Sequence, residues 1–290
     1  MGRHHVRATV DAAQAEPFTT VNTGIEVLLP SDRHWGWDRL SNPRGVVANW
    51  QDDLYVADCG QDQVLHYRSD GTFVGAWGAR GTGPGQLDCP VDITINSAGH
   101  LLVLDRDNRR VQELTSTGGF VRAWATGTEP NFGLGTSLDT DDDDHVYVAD
   151  LDNGYYGEPC EIIGGIPVCT SFPPSPANNF VREFAPDGSS VGQWSRTNVS
   201  GLAATGAGEI VVARATTIEV RTTEGALLDS FTNAGNPETV GRVTVDRFGN
   251  IWATYPSRNL LRKFTPGGYE LARWSVPGSA DVAVFEKNDD

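Results

Sequence analysis

Three charged residues, Asp92, Arg242 and Asp281, stand where matching segments of the chain carry Gly45 and Gly201. Two carboxylates around a guanidinium can hold an anion, accept a proton or bind a hard cation through oxygen. Asp92, Arg242, Asp281 and His34 are therefore the candidate catalytic residues, with Arg44 beside Arg242 as the second holder of an anionic group. His34 lies in Ser31–Asp38, between an acid and the tryptophans Trp35 and Trp37, a set suited to an aromatic or cationic ligand through stacking and cation–π contact. The same tryptophans would equally serve as a plug packed between neighbouring segments. Ser137, Arg214 and Tyr255 complete the candidate ligand-binding set. Asp92 and Asp281 are also weak candidates for a Ca²⁺ or Mg²⁺ ion, since those metals take oxygen ligands. A salt-bridge network that satisfies itself is the bland alternative for the Asp/Arg/Asp cluster, because charges near a narrow axis are costly unless paired.

What must position these residues is a repeated phrase. Tyr55-Val56-Ala57-Asp58 is followed by Val64-Leu65-His66-Tyr67, Gly71 and Trp77; Leu102-Val103-Leu104-Asp105 is followed by Val111-Gln112-Glu113-Leu114, Gly118 and Trp124 at the same spacing. The glycine-to-aromatic offset returns as Gly188/Trp194, Gly225/Phe231 and Gly268/Trp274. Self-similarity at roughly 40–47 residues with four strand-like runs per unit is the signature of a propeller blade. The pattern predicts an all-β, six-bladed β-propeller with four antiparallel strands, a to d, in each blade. Blade one starts near Gly45, two at Pro90, three near Gly135, four near Val199 and five near Val240. The sixth is expected to close with Asp281–Val284 as strand a and the N-terminal segment as strands b (8–11), c (17–23) and d (24–30), Pro30 fitting worst. One domain, 1–290, follows, with an insertion at 151–178 in blade three.

Alternating strand directions put the starts of strands a and the ends of strands b on one face, the top. Arg44, Asp92, Ser137, Arg242 and Asp281 gather there near the axis, and a ring of Asp11, Asp58, Asp105, Asp150, Arg214 and Tyr255 ends the b strands. The recurring Asp residues suit Asx-type capping of the b–c turns. The 151–178 insertion and the Ser31–Asp38 loop entering blade one reach the same mouth. His66, His100 and His145 fall on strand c or in bottom turns, where ordinary structural roles suffice; four consecutive Asp at 141–144 read as a solvated turn.

Pro43–Ala48, Gly83-Pro84-Gly85-Gln86-Leu87 and Asp105–Val111 resemble the NHL-repeat family of six-bladed propellers, over the whole chain but less closely in blades four and five. Blades one and two are also similar to the propeller of peptidyl-hydroxyglycine amidating lyase, notably Pro84–Leu87 and Asp105–Asn108. That resemblance implies zinc on axial histidines just after a blade-opening proline. Arg44 and Val91 hold those places, so no three-His zinc site is expected and the activity is not carried over.

With 22 basic against 38 acidic residues and a net charge of −16, nucleic acid and anionic membrane surfaces are disfavoured as partners. No apolar run approaches the ~20 residues that span a bilayer, and residues 1–7 lack the apolar stretch of a signal peptide. Cysteine placement allows two disulfides, Cys160–Cys169 across a short hairpin and Cys59–Cys89 between blades one and two, which would point to a secreted or periplasmic setting; four free thiols in a cytosolic protein are the alternative. The expectation is a monomer with a small-molecule binding or catalytic pocket at the top mouth, lyase- or hydrolase-like in chemistry if an enzyme. The alternative is a protein-interaction scaffold using the same acidic face.

Overall fold

The computed structural model describes residues 5–11, 25–27, 33–35, 39–51, 53–68, 70–126, 134–151, 161–163, 166–168, 180–232, 238–276 and 279–286. Strands b and c read as short, nearly unbroken apolar runs because neighbouring blades cover both their faces. Leu54–Asp58 and Leu101–Asp105 are buried along their whole length, whereas the outermost strands, such as Phe120–Ala125, alternate between half-buried and exposed. Blade-to-blade cores do the packing. Tyr55, Val64, Leu87, Ile93, Leu101 and Val103 join blades one and two, and Tyr147, Val181, Val199, Leu202, Ile210 and Val212 join three and four.

Five blades follow a common plan, each an antiparallel four-stranded sheet in the order a-b-c-d. In blade two these are Pro90–Ile95, Leu101–Asp105, Arg110–Leu114 and Phe120–Ala125. Blade three runs Leu134–Thr140, Val146–Leu151, Phe180–Phe184 and Ser190–Ser195. Its insertion contains the paired strands Glu161–Ile163 and Ile166–Val168.

The expectation of a six-bladed propeller is corrected: five blades are built to this plan. Beside the five regular blades stands a closing sheet of different construction, Ser279–Glu286, His5–Asp11, Ile25–Val27 and Arg33–Trp35 in that order. Its inner pairing is long, from His5 opposite Glu286 to Asp11 opposite Ser279. Its outer strands hold only three residues each, at 25–27 and 33–35 rather than 17–23 and 24–30. Carrying the repeat spacing over to residues 8–30 requires turns of constant length, and strands this short carry no alternation to correct the register. His34 and Trp35, expected in a loop, pair instead with Glu26 and Ile25.

The glycine-to-aromatic spacing is a contact between blades. Gly188 has φ +84°, and a Cβ there would lie 2.8 Å from Trp124 Cδ2 of the preceding blade. The φ and the close approach both demand glycine. Gly118 meets Trp77, Gly225 meets Trp194 and Gly268 meets Phe231 in the same way.

Candidate functional site

The innermost strand of each blade has one edge with no neighbouring strand, so its channel-side N–H groups need other acceptors. Side chains of the preceding blade supply them. Asp281 Oδ2 accepts from Val46 N–H at 3.0 Å, Asp92 Oδ2 from Leu138 N–H at 2.8 Å, Ser137 Oγ from Leu202 N–H at 3.2 Å, and Asp139 Oδ2 from Ala204 N–H at 3.1 Å. Blade one has glycine at the corresponding place: a Cβ on Gly45 would stand 2.6 Å from Asp92 Cα. The Ile93 N–H beside it turns to Asp92 Oδ1 at 3.0 Å.

Arg242 crosses the axis. From blade five its Nη1 donates to Asp92 Oδ2 at 3.0 Å and its Nη2 to the Val91 carbonyl at 3.3 Å, in blade two. Below lies a cavity of about 80 Å³ bordered by Asp92, Thr94, Ser137, Asp139, Thr244 and Asp281. At ~10–15 Å³ per water it holds a few waters, well short of the ~300 Å³ or more of an ordinary ligand pocket. Burial, and then the charge of Asp92, push the Asp281 carboxyl up to about 7 against the pull of Arg242. Burial likewise raises Asp139 to about 6, outweighing hydrogen bonds from Thr140, Thr94 and Ala204. Above the plug, partial burial and the like charges of Arg106 and Arg242 hold Arg44 below the usual arginine value. Arg106 is paired with Asp107 at 2.8 Å; Arg44 has no ion pair among the described residues.

The structure thus brings together Asp92, Arg242, Asp281, Ser137 and Arg44, and leaves Arg214 and Tyr255 in a different network. Asp58 accepts from the N–H groups of Ser41, Asn42 and Gly60 at 2.6–2.9 Å, and Asp105 binds Asp88 N–H and Arg110 at 2.7 Å. Asp150 faces Arg182 at 3.4 Å. In blade four the charges are exchanged. Arg214 donates to the Thr197 carbonyl at 2.8 Å, and the acid moves to Glu219, which binds Arg196 and Arg221. Burial opposes ionisation of Glu219, yet those hydrogen bonds keep it below the ordinary carboxylate range. In blade five, Tyr255 is buried under Arg262, whose guanidinium is 4.6 Å from its ring and pairs with Glu238 at 2.7 Å.

Cys59 and Cys89 form a disulfide between blades one and two. Cys160, Cys169, Trp37 and the side chains of His34, Trp35 and Asp11 lie outside the described residues. Asp139 escaped notice in the sequence, although it stands two positions after Ser137 and period-2 alternation puts both on the channel side. Arg106 lies in the turn after Asp105, where nothing in the sequence marks it as a like charge acting on Arg44.

A ring of blades around a charged axial plug defines a β-propeller. More particularly, residues 87–114, spanning strands a to c of blade two, match the NHL repeat family. NHL repeat-containing protein 3 of Homo sapiens is 29% identical over 90 residues, which are 30% of this chain and 26% of that protein, so the match spans about a quarter of the relative's length. Among solved structures, a chain of the nidogen/laminin complex superposes with a TM-score of 0.69 at 12% identity, covering 98% of both chains. A virginiamycin B lyase of Staphylococcus aureus solved with quinupristin gives 0.61 at 10% identity, over 93% of this chain and 84% of that one. XC5397 of Xanthomonas campestris, a gluconolactonase, gives 0.61 at 18% identity over 95% and 87%. At such identities the likeness is one of fold. Among the described residues no helix is long and apolar enough to cross a membrane.

Proposed function

We propose that the top mouth binds a small anionic molecule between Arg44 and Arg242, with Asp281 beneath as the group that exchanges a proton with it. The observation that carries this reading is Arg44, which has no ion pair among the described residues and is held below the usual arginine value first by partial burial and then by the like charges of Arg106 and Arg242, in a chain of net charge −16. Unneeded repulsion of that kind is what a bound anion would relieve. Chemistry at such a mouth, if the ligand is turned over, would be of the lyase or hydrolase type, in keeping with the lyase and the gluconolactonase that share the fold. A Ca²⁺ or Mg²⁺ at Asp92 and Asp281 would first have to displace Arg242 from its 3.0 Å contact. The Cys59–Cys89 disulfide supports a secreted or periplasmic setting.

A scaffold role is the second reading, favoured by apolar residues left exposed on outer strands, among them Phe120, Val121, Leu227 and Leu228. Thermal-shift titration with acetate, citrate, phosphate and Mg²⁺ separates the readings. An anion should raise the Tm of the native protein by several degrees and that of Arg44→Ala by far less, because Arg44 holds no other ion pair among the described residues. No anion response, or one that survives Arg44→Ala, sinks the proposal.

A further inference from the structure

On the bottom face, a cleft of about 200 Å³ opens between blades two and three, bordered by Asn96, His100, Arg122, Trp124 and Asp144. Trp194, the counterpart of Trp124 one blade on, donates its indole N–H to the Thr223 carbonyl in the next c–d turn at 2.9 Å. The matching acceptor for Trp124 is the Pro186 carbonyl, but Arg122 Nη2 already occupies it. The Trp124 indole N–H is left buried and without a partner among the described residues, a state that costs free energy unless an acceptor arrives.

Other polar functions around the cleft are half used. Glu113 binds His100 Nδ1 at 2.7 Å and Arg122 Nε. Among the described residues this leaves His100 Nε2 and Arg122 Nη1 without a hydrogen-bond partner, and Asp144 is occupied on Ser97. Apolar wall is supplied by Leu102, Val146 and the Trp124 ring.

We propose that this cleft is a second binding site, distinct from the top mouth, for a neutral polyol of monosaccharide size. Arg122 repels a cation, and Glu113 and Asp144 repel an anion, so the balance favours an uncharged ligand. Hydroxyl groups accept from Trp124, His100 or Arg122 and donate to Asp144, while the C–H faces of a sugar lie against indole and aliphatic wall. The cleft, smaller than the ~300 Å³ or more of a drug-sized ligand pocket, suits a ligand of monosaccharide size.

Saturation-transfer NMR and calorimetric titration with glucose, galactose and myo-inositol test this, with gluconate and glucosamine as charged controls. At least one neutral compound should bind saturably, and Trp124→Phe should weaken it about tenfold, the worth of one hydrogen bond. Phe231 shows that phenylalanine fits this place over a turn glycine, here Gly268, so the variant should fold. Trp194→Phe, remote from the cleft, should leave the affinity unchanged. The proposal is overturned by the absence of any saturable neutral ligand, by tighter binding of a charged control, or by undiminished affinity in Trp124→Phe.

Discussion

Asp281 is buried among charged groups, and its titration can be followed. Its carboxyl, raised to about 7, is protonated in the folded protein over a range where an unfolded aspartate has already lost its proton. Between roughly pH 4 and 7 the native state therefore binds more protons than the unfolded one, and stability falls as pH rises. Asp139, raised to about 6, adds a fall of the same sign up to about that pH. Replacing Asp281 by Asn keeps an oxygen able to accept the Val46 N–H and removes the titration. The variant should gain Tm relative to the native protein as pH is raised from 5 to 8. A difference that stays flat, measured by scanning calorimetry across that range, would show that Asp281 ionises without penalty. Below pH 4 the sign reverses, because Glu219 and Asp246 are then forced to take up protons; against the opposing effect of burial, Glu219 is held low by Arg196 and Arg221, and Asp246 by hydrogen bonds from Lys263, Asn250 and Trp252.

At the level of elements, the five regular blades were legible because each strand reports its burial through apolar runs and each hairpin through its Gly, Asp or Asn. The reason for the glycine-to-aromatic spacing was not legible, since the two residues of one unit touch different neighbours: Gly188 meets Trp124, while Trp194 meets Gly225. The closing sheet misled for a related reason. Ile25–Val27 and Arg33–Trp35 are too short to show a period, and their pairing depends on a hairpin length that the other blades do not predict. For the site, Asp92, Arg242 and Asp281 could be found as departures from the repeat. What could not be read was that two of them cap the inner edge of the next blade, because such bonds join residues as far apart in sequence as Val46 and Asp281. Gly45 tests the tightness of that inner edge. A Cβ there would press on Asp92 backbone at 2.6 Å and displace the strand that carries the cluster. Gly45→Ala should therefore cost about 2 kcal/mol or more, as overpacking does, where an alanine in an unhindered strand would be neutral or stabilising. Denaturant unfolding that shows no loss would mean the blades part easily at the axis.

For the molecule as a whole, two devices oppose opening of the ring. The Cys59–Cys89 bond spans 30 residues and ties blade one to blade two; on the chain-entropy argument a loop of that length contributes about 3–4 kcal/mol. The second device is the closing sheet, where His5–Asp11 is hydrogen-bonded to Ser279–Glu286 along its length. Ser279–Glu286 in turn packs against Pro43–Ala48 of blade one and against Val243–Val245 and Ile251–Tyr255 of blade five. Removing residues 1–11 leaves this strand without its sheet partner. A frayed terminus would be lost at little cost, but here about seven strand positions lose their pairing. At ~0.5–1.5 kcal/mol per hydrogen bond the loss runs to several kcal/mol, which in a protein of this size lowers Tm by about 10 °C or more. The truncated protein should also unfold less cooperatively, with blades five and one exchanging their amide hydrogens earlier than blade three. Reduced full-length protein is the control, since it loses a cross-link but keeps the closing pairing. If the truncated protein melts within a degree or two of the full chain, with uniform amide protection, the ring does not depend on the pairing of its two ends.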